Sequence, residues 1–152
     1  MPPAEYSYFR REKPWSDQII SRKVLPCEAA FCAEILELDK KISGENRGAL
    51  LSDYLKGSKV FVQNNSVAGA YIPDLGEGLI IADTITAGIE LMKVKYSVID
   101  KAVIPSENYA GISFLEQNGF VKIPTKGTRM VYGEDLKWKP DKIFSRIGGN
   151  FG

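Results

Sequence analysis

The sequence predicts an α/β domain of the mixed α+β kind: a central mixed, mostly antiparallel sheet with helices on both faces. Three observations carry that prediction. Hydrophobic residues make up 44% and charged residues 26% of 152 positions, values of an ordinary globular domain large enough to bury a core. The short runs LIIA and AVIP are wholly apolar, as strands covered on both faces are. Around them apolar residues recur at helical spacing, so strand-like and helix-like segments alternate along the chain.

Residues 1–16 mix prolines, aromatics and arginines without a period and are expected as a tail or linker, leaving residues 17–152 as one domain. From Asp17, DQIISRKVL reads as a first strand. Pro26 suits the first turn of a helix in which Phe31, Ile35, Leu38 and Ile42 follow at helical spacing, with Lys40 and Lys41 late and Gly44 as terminator. Cys27 and Cys32 lie five apart, on different faces of such a helix, and read as small packing residues rather than a disulfide. Asn46 can cap a second, shorter helix through ALLSDYLKG, and Asp39 and Arg47 read as surface charge.

From Lys59 the period changes. KVFVQ and VAGAYI, separated by NNS, form a hairpin, and PDLGEG is a loop leading to the buried strand LIIA. Asp83 or Thr84 caps the next helix, whose inward stripe is Ile85, Ile89 and Met92. DKAVIP is a second buried strand; Ser106 then offers an N-cap for a helix that Gly119 closes. VKIP and TRMVYG are β-like runs split by the turn TKG. KIFSRI is a last β-like stretch before GGNFG, which no helix follows and which is therefore no phosphate loop.

Composition narrows the chemistry. A formal net charge of +1 lacks the clustered basicity that nucleic acid requires. No apolar run is long enough to cross a membrane, and MPPAEYSYFRREKPW lacks the apolar segment of a signal peptide, so a cytoplasmic chain without membrane or nucleic-acid partners is expected. Histidine is absent, which excludes serine–histidine and cysteine–histidine triads and histidine-bearing metal sites; no metal is expected. Proton transfer near neutral pH falls to a carboxylate, a tyrosine, a thiol or water.

Two features together resemble the GNAT superfamily of N-acetyltransferases, over a stretch from about Asp17 to the end. One is the element order, with a hairpin before the central strand. The other is the segment after DKAVIP, where Asn108 opens a helix that ends in Gly119-Phe120. More narrowly, LELDKKISGENRGALL, the helix after LIIAD, TRMVYG and the glycine-rich tail look like the second domain of two-domain GNAT proteins, with residues 1–16 as the remnant of a linker. The resemblance implies a three-layer fold in which the LIIA and KAVIP strands part at their C-terminal ends and acetyl-CoA, the co-substrate, lies in the gap. Ile81 and Ala82 would lend backbone groups to the pantetheine arm, Thr84, Thr86, Ala87 and Gly88 would seat the pyrophosphate at a helix start, and Asn108 would bond the pantetheine. Glu77, at the entrance to the central strand, is the candidate base through a water, and Tyr71 is a second candidate.

The chain also departs from the family pattern. In the pyrophosphate loop DTITAG only Gly88 fits; Thr86 replaces a glycine, and Asp83 stands where an amide or cation belongs. Two like charges at roughly 4 Å in a partly buried site repel by about 4 kcal/mol. Leu115 occupies the position of the usual tyrosine acid, and Tyr109 lies two turns earlier. Two functions follow from the resemblance. One is an acyl-CoA-dependent N-acetyltransferase acting on an amine of a small molecule or peptide. The other is a degenerate GNAT-like domain that binds a ligand or partner without turnover. The expected assembly is a homodimer through the edge of TRMVYG or KIFSRI, or a pairing with another GNAT domain.

Overall fold

The computed structural model describes residues 4–12, 19–129 and 138–147, the side chains of 125–129 excepted. The elements run β1 (Ala4–Arg10), β2 (Val24–Pro26), α1 (Ala29–Ser43), α2 (Gly48–Ser52), β3 (Lys59–Gln63), β4 (Ser66–Ile72), β5 (Leu79–Ala82), α3 (Ile85–Tyr96), β6 (Lys101–Pro105), α4 (Tyr109–Gln117), β7 (Val121–Arg129) and β8 (Ile143–Ser145). A short 3-10 turn, Pro140–Lys142, leads into β8. Five strands form one antiparallel sheet in the order β2-β3-β4-β5-β8, and three form another in the order β6-β1-β7.

Side-chain alternation along the strands divides the core into two layers. Ile80 and Ala82 of β5 face α3 and α4, where they meet Leu91, Met92, Tyr96 and Leu115. Leu79 and Ile81 face the other way, onto Ile35, Leu38 and Ile42 of α1 and Leu51 of α2. This is the expected sheet with helices on both faces. The β3–β4 hairpin turns on Asn64 and Asn65, whose φ values of 53° and 63° make the tight left-handed loop that asparagine tolerates. Gly44 ends α1 in the left-handed region, as its place in the sequence predicts.

Several expectations are corrected. Part of the expected tail is β1, the middle strand of the three-stranded sheet, antiparallel to both β6 and β7. Tyr6, Ser7 and Phe9 are buried there, because a middle strand covered on both faces needs apolar residues on each. The first strand shortens to Val24–Pro26, and Pro26 ends it instead of opening a helix; residues 13–18 lie outside the described ones. VKIP and the following turn merge into the single strand β7. A register break opposite Ser7 and Tyr8 lets Pro124 sit in an edge strand without a missing ladder bond. Residues 130–133 of TRMVYG and the GGNFG end lie outside the described residues.

Asp39 and Arg47 are not surface charge. Asp39 is 1% exposed and takes a two-pronged bond from the Arg47 guanidinium, which ties α1 to the start of α2. The stripe of α3 is also displaced: Ile85 is exposed, and the helix buries Ala87, Gly88, Leu91, Met92, Lys95 and Tyr96. Small residues face inward because the helix lies close to the sheet; a methyl on Gly69 of β4 would press on Leu91 and Ala87. Both cysteines are free, and their thiols reach the same Glu28 carbonyl at 3.7 and 3.8 Å.

Candidate functional site

β5 and β6 are the two strands expected to part, and they share no ladder. Between them lies β8. It pairs antiparallel with β5, Ser145 against Ile80 and Ile143 against Ile81, and its continuation reaches β6 through Arg146 N–H to the Val103 carbonyl at 3.1 Å. KIFSRI is thus an internal strand and not a free edge. At Ile80 and Ile81 the edge of β5 expected to meet a pantetheine arm is met by the chain's own backbone.

Four of the predicted site residues, Glu77, Ile81, Gly88 and Asn108, meet that stretch. Ile81 and Ala82 are buried in β5, with Ile81 paired to Ile143. Thr84 caps α3, its side-chain oxygen accepting from Ala87 N–H at 3.2 Å, and Gly88 N–H returns to the Thr84 carbonyl at 3.1 Å. Thr86 is exposed on the first turn. Gly88 is buried against the ring of Phe144, where even a methyl group would overlap the ring. The one residue of DTITAG that fits a phosphate loop therefore admits an aromatic side chain of β8.

Asn108 is 1% exposed and is itself the cap of α4, the role expected of Ser106. Its Oδ1 accepts from Gly111 N–H at 2.9 Å, and its Nδ2 donates to the Ile143 carbonyl at 2.8 Å. Ser106 instead bonds Ser7 of β1 at 2.7 Å. The amide expected to hold pantetheine holds β8.

The two carboxylates at the ends of β5 are both paired. Asp83 receives Lys142 at 2.6 Å and Lys41 of α1 at 3.1 Å. The Lys142 bond, then that of Lys41, keeps the Asp83 carboxyl below the usual carboxylate range against the opposing effect of partial burial. Glu77 pairs with Arg146 at 3.0 Å, and its N–H donates to the Ile147 carbonyl. The Arg146 guanidinium also lies 5.5 Å and 5.0 Å from the ring centres of Tyr6 and Tyr8. Tyr71 is buried in β4, and burial, with Asp74 second, raises its hydroxyl above the usual tyrosine value. The substituted positions of the resemblance are apart from the gap's chemistry: Leu115 is in the core and Tyr109 is exposed.

A polar cluster that sequence reasoning missed lies beneath. Lys95, 3% exposed, donates to the carbonyls of Glu77 and Gly78 at 2.7 and 3.0 Å and to Ser145 Oγ at 2.5 Å. Burial pushes its ammonium down to about 8, against the opposite pull of Glu77. The available signal is a lysine on the buried face of α3, seven residues after Gly88 and so on the same side of the helix. A groove of about 440 Å³ opens beside Asp83, lined by Glu34, Glu37, Leu38 and Lys41 of α1 and Val67 of β4.

Comparison with solved structures bears on this arrangement. A Pyrococcus horikoshii protein assigned as an acetyltransferase superimposes on the whole chain with a TM-score of 0.74 at 16% identity. An acetyltransferase of the GNAT family from Colwellia psychrerythraea matches 84% of it with a TM-score of 0.58 at 10% identity. The chain has the GNAT acetyltransferase fold. It spans about half of each of those two proteins, 53% and 55% of their chains. No family model matches the sequence, and no curated protein is similar to it. At these identities the GNAT likeness is one of architecture, and the chemistry of the gap must be judged from its own residues.

Those residues do not fit acetyl-CoA. The β5 edge that would pair with pantetheine is taken by β8, Gly88 is filled by Phe144, and Asp83 puts a carboxylate at the pyrophosphate end. Among the described residues no group of three or more acidic or cysteine side chains could hold a metal ion, and no helix is long and apolar enough to cross a membrane.

Proposed function

We propose that this chain is a GNAT-fold binding module that, as folded, does not transfer acetyl groups. The observation that carries the reading is β8 seated between β5 and β6, with its flanking Lys142 and Arg146 on Asp83 and Glu77. The same pairing accounts for Asp83. An acid that would repel a diphosphate is the right partner for a lysine of the chain itself. Thermal melting with millimolar acetyl-CoA tests the reading. Ligand at a hundred times its dissociation constant adds roughly 2.7 kcal/mol to stability. No shift is expected; a saturable shift abolished by Thr84→Pro would sink the proposal.

The second reading is an acyl-CoA-dependent N-acetyltransferase acting on an amine of a small molecule or peptide. One observation favours it: at the Thr84-capped start of α3 the Ile85 and Thr86 N–H groups have no partner among the described residues. It requires acetyl-CoA to bind and to expel β8. The same titration decides between the two, read together with hydrogen exchange at the Phe144 amide, which acetyl-CoA would then speed up.

A further inference from the structure

Residues 142–146, KIFSR, are read position by position. Lys142 meets Asp83, the Ile143 carbonyl meets Asn108 Nδ2, Phe144 fills the space above Gly88, Ser145 Oγ meets Lys95, and Arg146 meets Glu77. Sheet completion alone needs backbone pairing and apolar side chains, not five specific contacts. Three of the groups that do the reading are also held by other parts of the fold: Asp83 by Lys41, Asn108 by Gly111 N–H, Lys95 by two carbonyls of the β4–β5 loop. That much of the receptor is preorganised.

The occupant is short and irregularly paired, though buried along its length. β8 has three residues, its pairing to β5 breaks register between Ile80 and Ile81, and its run reaches β6 through the Arg146 N–H bond. Proteins open sub-globally in contiguous pieces, and displacement of this strand is an opening of that kind. We infer that the gap between β5 and β6 is a peptide-acceptor slot. It takes an extended segment with two cationic residues four apart, an aromatic third and a small hydroxyl fourth, and β8 is its intramolecular occupant. This inference rests on the binding-module reading and gives that module its ligand class: a partner chain that presents such a segment in extended form and adds it as a strand. The carboxylates at the two ends of β5 set the direction and the register of the guest, and the buried Lys95 and Asn108 check its interior.

The test uses the full chain and a fluorescent peptide of residues 138–147. Lys142→Glu with Arg146→Glu weakens the internal strand in the full chain. That variant is expected to bind the peptide, measured by anisotropy, roughly tenfold more tightly than it binds a peptide with both cations reversed. If the double variant fails to fold by circular dichroism, the unaltered chain is incubated with a peptide carrying a photo-crosslinker in place of Phe144. Crosslinks are then expected on α3 around Gly88. Equal binding of both peptides by the folded variant, or crosslinking no greater than that of a scrambled peptide, overturns the slot. Acetyl-CoA added as competitor separates the two proposals. Displacement of bound peptide by acetyl-CoA would defeat the non-catalytic reading and keep the slot. Failure of peptide and acetyl-CoA alike would defeat the slot and keep the module.

Discussion

Asn108→Ala is the sharpest single perturbation of this architecture. The Asn108 side chain does two jobs at once: its oxygen caps α4 and its nitrogen holds the Ile143 carbonyl of β8. Loss of an N-cap costs about 1 kcal/mol. A buried carbonyl deprived of its donor costs a further 1–3 kcal/mol or so. The sum, about 2–4 kcal/mol, is a large part of the 5–15 kcal/mol or so that holds a typical domain together. Asn108→Asp separates the two jobs, since aspartate caps a helix as well as asparagine does but donates nothing to Ile143. Urea unfolding of both variants measures the totals, and hydrogen exchange at Ile81 and Phe144 shows where the loss falls. The alanine variant should lose both contributions, and the aspartate variant at least the second, with faster exchange confined to β5 and β8. An aspartate variant as stable as the parent, or uniform exchange in either, would refute the assignment of Asn108 as the anchor of β8.

Gly88→Ala should destabilise the chain by about 1–3 kcal/mol through overlap with Phe144, although alanine alone favours a helix by about 1 kcal/mol. Phe144→Leu in the same chain should recover part of that loss in a double-mutant cycle. Lys95, depressed by burial to about 8, gives a rise in stability with pH. Between about 8 and the unfolded value near 10.4 the unfolded chain holds a proton that the folded one has shed, so stability increases across that window. Lys95→Met should abolish the slope in denaturation curves taken from pH 7 to 10.5. Asp83 has the opposite dependence: its folded carboxyl is depressed, so its contribution is full above about pH 4 and fades as pH falls through the lower folded value. Asp83→Asn should therefore differ from the parent at neutral pH and low salt, by less than about 1 kcal/mol for so exposed a group, and the two should converge in acid or at 1 M salt.

Much of the fold is legible in the sequence because its determinants are local. The β3–β4 hairpin follows from two asparagines that accept positive φ, the end of α1 from Gly44, and β5 and β6 from wholly apolar runs. Of the strands at the two ends of the chain, β8 is legible as a β-like stretch but not its place between β5 and β6, and β1 is not legible. In β1, tyrosines, serine and phenylalanine alternate, but the flanking prolines and arginines hide the period, and its partners are some hundred residues away. Lys142 and Arg146, the flanks of β8, give no local sign of their partners, because Asp83 and Glu77 lie 59 and 69 residues away in sequence. The candidate site suffers the same way. Gly88, Asn108, Asp83 and Glu77 stand out as residue types, but whether a cofactor or the chain's own strand meets them depends on the placement of residues 142–146. The altered DTITAG loop is the one local mark of that outcome.

The central position of β1 has a consequence for how the protein is made. Residues 4–10 leave the ribosome long before the strands on either side of them, residues 101–105 and 121–129. Until those strands emerge the segment YSYF lacks its partners, and a long loop, from Arg10 to Lys101 at its shortest, must close before the sheet repays its entropy. In that interval its aromatics are exposed, a stage at which chaperone capture or early aggregation is decided. A circular permutant that begins just before β6 and carries β1 after β7 should shorten that wait.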